Sequence, residues 1–173
     1  MSNTKKAGVL ALAVLAFVAP LSAAHADAAK DLQVAGRALT FLEDGPTGKA
    51  VLGVVFDPSK PTSVAEKNAV MAAIGGGMSA GAVTLTAKPV EASAVSGVSG
   101  VAALYVTTGV NVGAAAKAKK LITIGSDTSC ATSGNCVMSV SADPKVEIVV
   151  NRAAAAAVGA VFKAAFRMMI REV

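Results

Sequence analysis

The stretch LITIGSDTSCATSGNCVMSVSADPKVEIVVN, Leu121 to Asn151, holds both cysteines of the chain between three apolar runs of strand length. Its order is strand, cysteine loop, hairpin. Cys130 and Cys136 are separated by Ala131-Thr132-Ser133-Gly134-Asn135, small and turn-prone residues, so one chain reversal can bring the two sulfurs within bonding distance. A disulfide-closed loop is the first reading. A metal pair is the alternative, although a lone C-x5-C with no further cysteine lacks the four ligands of a structural zinc site. Closing so short a loop stabilises a fold by roughly 2 to 2.5 kcal/mol on the chain-entropy model, which leaves room for a redox role beside a purely structural one.

After the cysteine loop, Val137 to Ser141 and Val146 to Asn151 read as two strands joined by Asp143-Pro144-Lys145, a hairpin turn. Asn151 is placed to cap a closing helix from Arg152 to about Arg171. Its predicted buried stripe is Val158, Phe162, Ala165, Phe166 and Met169. Lys163, Arg167 and Arg171 recur every four residues on another face, either as solvated surface or as a basic ridge for an acidic partner. Met138, Met168 and Met169 raise a copper hypothesis, set against ordinary core packing of methionine.

The N-terminus predicts the compartment. Lys5 and Lys6 precede the apolar run Ala7 to Val18, and Ala24-His25-Ala26 meets the small-residue rule for cleavage. Residues 1–26 therefore read as a secretory signal peptide cut between Ala26 and Asp27, too short to span a membrane. A periplasmic domain over residues 27–173 is expected, with no membrane insertion of the mature chain. Those 147 residues (173 minus 26) suit one domain. With Lys5 and Lys6 gone, 14 basic residues face 11 acidic ones, and a net charge of +3 asks for no nucleic acid.

Cleavage would also remove His25, the only histidine. A chain without imidazole builds no Ser-His-Asp or Cys-His site, and no pair of carboxylates is spaced for acid-base work, so the sequence argues against an enzyme and against a resident cofactor or metal. With no tryptophan and only Tyr105 as tyrosine, a stacking platform is not expected.

Toward the middle of the chain, Ala28 to Leu42 shows helical spacing at Leu32, Ala35, Leu39 and Leu42 and stops at Glu43-Asp44-Gly45-Pro46. Gly45-Pro46-Thr47-Gly48-Lys49 is similar to a phosphate loop, but the first glycine of that motif would fall on Glu43 and Lys49 precedes Ala50. Ala50 to Phe56 is continuously apolar, as for a strand covered on both faces. Ser63-Val64-Ala65-Glu66 reads as a capping box for a helix ended by Gly75-Gly76-Gly77. Ala82 to Lys88 alternates as a strand with one wet face, and a brief helix is expected within Val90 to Gly100. Val101 to Val106 is again apolar, Val112 to Lys119 helical, and Leu121 to Ile124 a strand.

The expected architecture is α/β: a single-domain sandwich with a mostly parallel sheet, a C-terminal antiparallel hairpin and a long C-terminal helix. Ligands of open parallel sheets bind beyond the carboxyl ends of the strands. The candidate loop residues are therefore Asp57, Ser59, Thr107, Thr108, Ser126 and Asp127, with ordinary helix-capping as the competing role.

From KLITIGSD (Lys120 to Asp127) through the cysteine loop to CVMSVSADPKVEIVVNRAAAAAVGAVFKAAFRMMIREV, the chain resembles the YfiR/HmsC-like family of small periplasmic proteins. VEIVVN, Val146 to Asn151, stands for the family's second hairpin strand, and Arg152 to Ile170 for its closing helix. Before Lys119 the agreement is one of element order. The resemblance implies a protein that acts by contact, like repressors that restrain an inner-membrane diguanylate cyclase and so lower cyclic di-GMP. Cys130 and Cys136 match a cysteine pair in the family's loop before the hairpin, whereas a second pair of some members is missing here. It assigns no interface residues. A stand-alone solute-binding module beside a transporter or outer-membrane receptor is the alternative, for which homodimerisation would supply a second lobe.

Overall fold

The structure, a computed structural model, describes residues 22–173. Most of the proposed leader, residues 1–21, lies outside the described residues. The first helix, α1 (Ser22–Leu39), runs through the expected Ala26–Asp27 boundary. Leu32, Ala35, Leu39 and, just beyond its end, Leu42 are all buried, as their spacing predicts.

Strand β1 (Gly48–Phe56) leads into α2 (Pro61–Ile74), which ends at Gly75 with φ +52°. A short strand, β2 (Met78–Ala80), turns back antiparallel into β3 (Val83–Glu91), and β3 lies parallel to β1 in register from Gly48 opposite Val83. A 3-10 helix (Ala92–Gly97) follows, then β4 (Ala103–Val106), α3 (Gly113–Ala118), β5 (Thr123–Gly125) and α4 (Thr128–Thr132). The hairpin is β6 (Met138–Ser141) against β7 (Glu147–Val150), antiparallel as expected.

Among the described residues the sheet has eight strands in the order β2-β3-β1-β4-β5-β6-β7-β8, where β8 is Arg171–Glu172. The run β3-β1-β4-β5-β6 is parallel throughout. The chain winds outward from β1 first to β3 and then, past β1 again, to β4. The crevice between β1 and β4 is thus the topological switch point of the sheet.

Both faces are covered, which is why AVLGVVF carries no polar position. Leu52 and Val54 join Leu32, Leu39, Val70 and Ile74 on the face of α1 and α2, while Val55 joins Val95, Leu104 and Val106 on the other. A Cβ at Gly53 would meet Leu104 Cδ2 at 2.8 Å, so β1 is glycine where the second layer comes closest.

The long C-terminal helix does not form. Arg152–Val158 makes α5, capped by the Asn151 side chain, which accepts from Ala154 N at 2.8 Å. Gly159 then adopts the left-handed conformation (φ +76°) and ends it. Phe162 bridges Leu42 in extended form, Ala164–Arg167 forms the single-turn α6, and the chain finishes as β8 beside β7. Tertiary docking of two aromatic rings overrides the helical propensity of the alanines: Phe166 stacks on Phe41 at 5.1 Å and lies 5.2 Å from Phe162. Of the predicted stripe, Phe162 and Phe166 are buried and Val158 partly so, whereas Ala165 and Met169 face solvent. Lys163, Arg167 and Arg171 form no common ridge. Arg167 pairs with Glu172 at 2.9 Å, Arg171 with Glu147 at 3.3 Å, and Lys163 donates to Thr40 O.

Candidate functional site

Strands β1, β4 and β5 are neighbours with one direction, so Asp57, Thr107 and Ser126 all emerge at the same edge of the sheet. Residues up to 69 positions apart (126 minus 57) are gathered there by topology. What binds them is α2, whose Ser63 and Glu66 lie three residues apart on one helical face.

Neither residue caps the helix. The N-cap of α2 is Lys60, with no side-chain cap bond and a proline at the start. The fully buried Ser63 reaches across the switch point instead: its Oγ accepts from Asp57 N at 2.9 Å and meets Thr107 Oγ1 at 2.7 Å. Thr107 Oγ1 donates its one proton to Val55 O at 2.9 Å, so Ser63 must be the donor to Thr107. A directed chain results, from Asp57 N–H through two hydroxyls to the β1 carbonyl. Every proton has one acceptor, and the crevice is closed from inside.

Glu66 performs the second closure. Its Oε1 accepts from Tyr105 OH at 2.8 Å and from Ser126 Oγ at 2.9 Å, and its Oε2 from Thr108 N at 2.7 Å. One carboxylate therefore ties α2 to β4 and to the loops after β4 and β5. Burial raises the Tyr105 phenol far above its ordinary value, and the nearby Glu66 charge adds to that, so Tyr105 stays a proton donor at any physiological pH. Lys60 adds an outer strap, donating to Gly109 O at 2.7 Å and pairing with Asp57 at 3.6 Å.

The remaining sequence-selected residues make local turns. Asp57 Oδ1 accepts from Ser59 N and Ser59 Oγ, and Asp127 accepts from Ser129 N and Ser129 Oγ, the same D-x-S turn in two loops. Those Ser59 bonds, with Lys60 beside them, hold the Asp57 carboxyl below its usual range. Asp127 is the N-cap of α4.

Thr107, Thr108 and Asp127 line a cavity of about 240 Å³ between the loop after β4 and α4, where Asn111, Ser129 and Cys130 also contribute. Asp57, Ser59 and Ser126 are outside it. Its lining contains one ionised group, Asp127, and no cation. A second hollow of about 370 Å³ has Asp31, Glu66, Tyr105 and Ser126 along an otherwise apolar wall that includes Ala65 and Val70.

Cys130 and Cys136 are joined in a disulfide, with Cα atoms 5.1 Å apart. Cys130 sits on α4, and Cys136 is wholly buried. A Cβ on Gly125 would lie 3.3 Å from each sulfur, so the end of β5 is glycine where the bridge packs. Asn135, inside the closed loop, donates to Val110 O at 2.9 Å and accepts from Gly113 N at 3.1 Å, which fastens the loop to the segment before α3. Met138 is fully buried in β6, whereas Met168 and Met169 are exposed, so these thioethers stand in opposite environments.

Sequence reasoning selected Ser63 and Glu66 for the wrong task and passed over Lys60 and Asn135. The S-x-x-E signal was visible; its partners, 39 to 60 residues away, were not.

No family model and no curated protein matches the chain. Among solved structures it is similar to a conserved domain protein from Vibrio cholerae, with a TM-score of 0.56 at 13% identity, over 84% of this chain. The chain spans 59% of the length of that protein, and at this identity the likeness is one of fold.

Proposed function

We infer that the chain is a periplasmic regulatory or sensory protein, exported by a cleaved signal peptide and acting by protein contact rather than by catalysis. The observation that carries this reading is the placement of exposed apolar surface. Among the described residues the large hydrophobic side chains left exposed are Val146, Val161, Met168, Met169 and Val173, all in the C-terminal part of the chain. Methionine-bearing apolar surface suits adaptable protein contact. The switch point, where a sheet of this kind would bind a solute, is instead filled by Ser63 and Glu66. An inner-membrane sensor protein such as a diguanylate cyclase is the partner that the resemblance to the YfiR/HmsC-like family suggests.

The test is capture from solubilised membranes with tagged protein, beside its Met168→Glu/Met169→Glu and Cys130→Ser/Cys136→Ser variants, and cyclic di-GMP measured in cells lacking the gene. Capture of a membrane protein with a periplasmic sensor domain, weakened by the methionine variant and accompanied by a rise in cyclic di-GMP on deletion, supports the reading. Unchanged cyclic di-GMP with no such capture overturns it. A second reading, a small solute-binding module beside a transporter or outer-membrane receptor, is favoured by the 240 Å³ cavity beside the disulfide. It predicts a melting temperature that rises with a small polar ligand and falls back in Asp127→Ala.

A further inference from the structure

Two grooves flank the partly buried Ala160 and the exposed Val161. The first, of about 320 Å³, has Leu42, Pro46 and Ile122 in its wall and Glu43, Asp44 and Lys120 around it. The second, of about 300 Å³, lies between α5 and β8, with Ala155 and Phe162 in its wall and Arg152, Arg167 and Glu172 around it. Ala160 and Val161 line both, so this segment is the ridge between them. Val161 stands 60% exposed at its crest.

The ridge is a fixed feature. Glu43 N donates to Val161 O at 2.9 Å and Lys163 N to Phe41 O at 2.8 Å, with the Leu42 to Phe162 bridge between them. A surface already held in one conformation loses little entropy on association.

The charges on the two sides are opposite. The first groove has two carboxylates against one ammonium group, and neither Glu43 nor Asp44 makes an ion pair among the described residues. The second has two guanidinium groups against one carboxylate: Arg167 binds Glu172 directly, and Arg152 adds to the field that lowers the Glu172 pKa. Surplus negative charge, an apolar ridge and surplus positive charge therefore follow one another across the surface.

Such a pattern is complementary to itself. Rotation of a second copy by half a turn about an axis through Val161 sets ridge against ridge and, twice over, acidic groove against basic groove, as an isologous two-fold contact requires. The geometry points to a homodimer of this chain built on Val161, with Glu43 and Asp44 of each copy facing Arg152 and Arg167 of the other. The dimer contact is tested at Val161 and the membrane contact at Met168 and Met169, so different variants decide the two assignments.

The test is sedimentation equilibrium over a micromolar concentration series on the purified chain, in the form the expressing cell yields, with circular dichroism to check the fold. A dimer is expected that weakens with added salt. Val161→Glu is expected to raise its dissociation constant about tenfold or more, as for a truncated central contact. Glu43→Lys/Asp44→Lys is expected to dissociate it likewise, and adding Arg152→Glu to that variant to restore it. A monomer at every concentration overturns the proposal, as does a dimer indifferent to both changes. Should Val161→Glu fail to fold, the charge-reversal pair decides.

Discussion

At the carboxyl edge of β1, β4 and β5 the polar side chains bond to one another, whereas along the segment after Gly159 a pair of buried rings, with Ile170 partly buried beside the core, anchors a strip that leaves Val161, Met168 and Met169 facing outward. Ser63, Glu66 and Lys60 link segments 39 to 60 residues apart, and Tyr105 OH, Thr107 Oγ1 and Ser63 Oγ all find partners inside the protein. The C-terminal strip hangs on Phe162 and Phe166 and leaves Val161, Met168 and Met169 in water. A region whose groups are satisfied internally has little left to offer a partner; a region fixed by a few anchors retains surface that another protein can cover.

The contrast breaks most visibly at the anchor. Phe166→Ala removes a wholly buried ring stacked on Phe41 and is expected to lower stability by about 4 kcal/mol, read from the urea midpoint at constant slope. A change under about 1 kcal/mol would mean that the strip is not held by its rings.

Next in size is Glu66→Ala, which leaves the buried Tyr105 hydroxyl and Thr108 N–H without their acceptor and is expected to cost about 3 kcal/mol. Tyr105→Phe removes one donor only and should cost about 1 kcal/mol. Equal effects would show that the carboxylate acts through Tyr105 alone.

Replacing both cysteines by serine is expected to cost about 2 kcal/mol, the loop-entropy value for so short a closure. Hydrogen exchange should rise at Gly113 and around Val110, the groups that Asn135 holds, while β1 keeps its protection. Uniform loosening would place the bridge at the centre of the fold rather than at this edge.

Acid titration gives a smaller effect. The Asp57 and Glu172 carboxyls are both held below their ordinary values, mainly by bonds from Ser59 and from Arg167. A group depressed in the folded state contributes stability that is present above its unfolded pKa, about 4 for carboxylates, and is lost as pH falls through the folded value. Stability should therefore decline below about pH 4, less steeply in Asp57→Asn. A steeper decline in that variant would contradict the assignment.

Smallest of all, Met168→Ala with Met169→Ala is expected to move stability by no more than about 0.5 kcal/mol, since exposed side chains make few contacts to lose. A larger loss would mean that these methionines pack within the protein rather than wait for a partner.

Local pattern carried the reading where the cause is local or where a run is apolar on both sides. Ala50 to Phe56 reads as a strand between two layers, Gly75-Gly76-Gly77 as a helix stop, and two cysteines across five turn-forming residues could meet without help from the rest of the chain. Asn151 caps its helix as read, because its partner is three residues away. The D-x-S turns at Asp57 and Asp127 are equally local, although the sequence offered these residues as ligand-loop or helix-capping positions and not as turns.

Other features depended on neighbours distant in sequence. Ser63-x-x-Glu66 satisfies a local rule for a helix start, yet its side chains serve Thr107, Tyr105, Thr108 and Ser126, brought within reach only once β4 and β5 lie beside β1. The alanines after Asn151 favour a helix, but Phe41 and Leu42 claim Phe166 and Phe162, and Gly159 permits the turn that lets them. Chemistry along the chain marked the inner strands, the hairpin turn and the covalent loop, because those choices rest on each residue's own backbone and immediate neighbours, whereas the edge strands β2 and β8 were set by what they pair with. Tertiary packing alone decided which polar groups would be satisfied internally and which apolar ones would stay in water, because hydrogen bonds and burial act across space, without regard to separation in sequence.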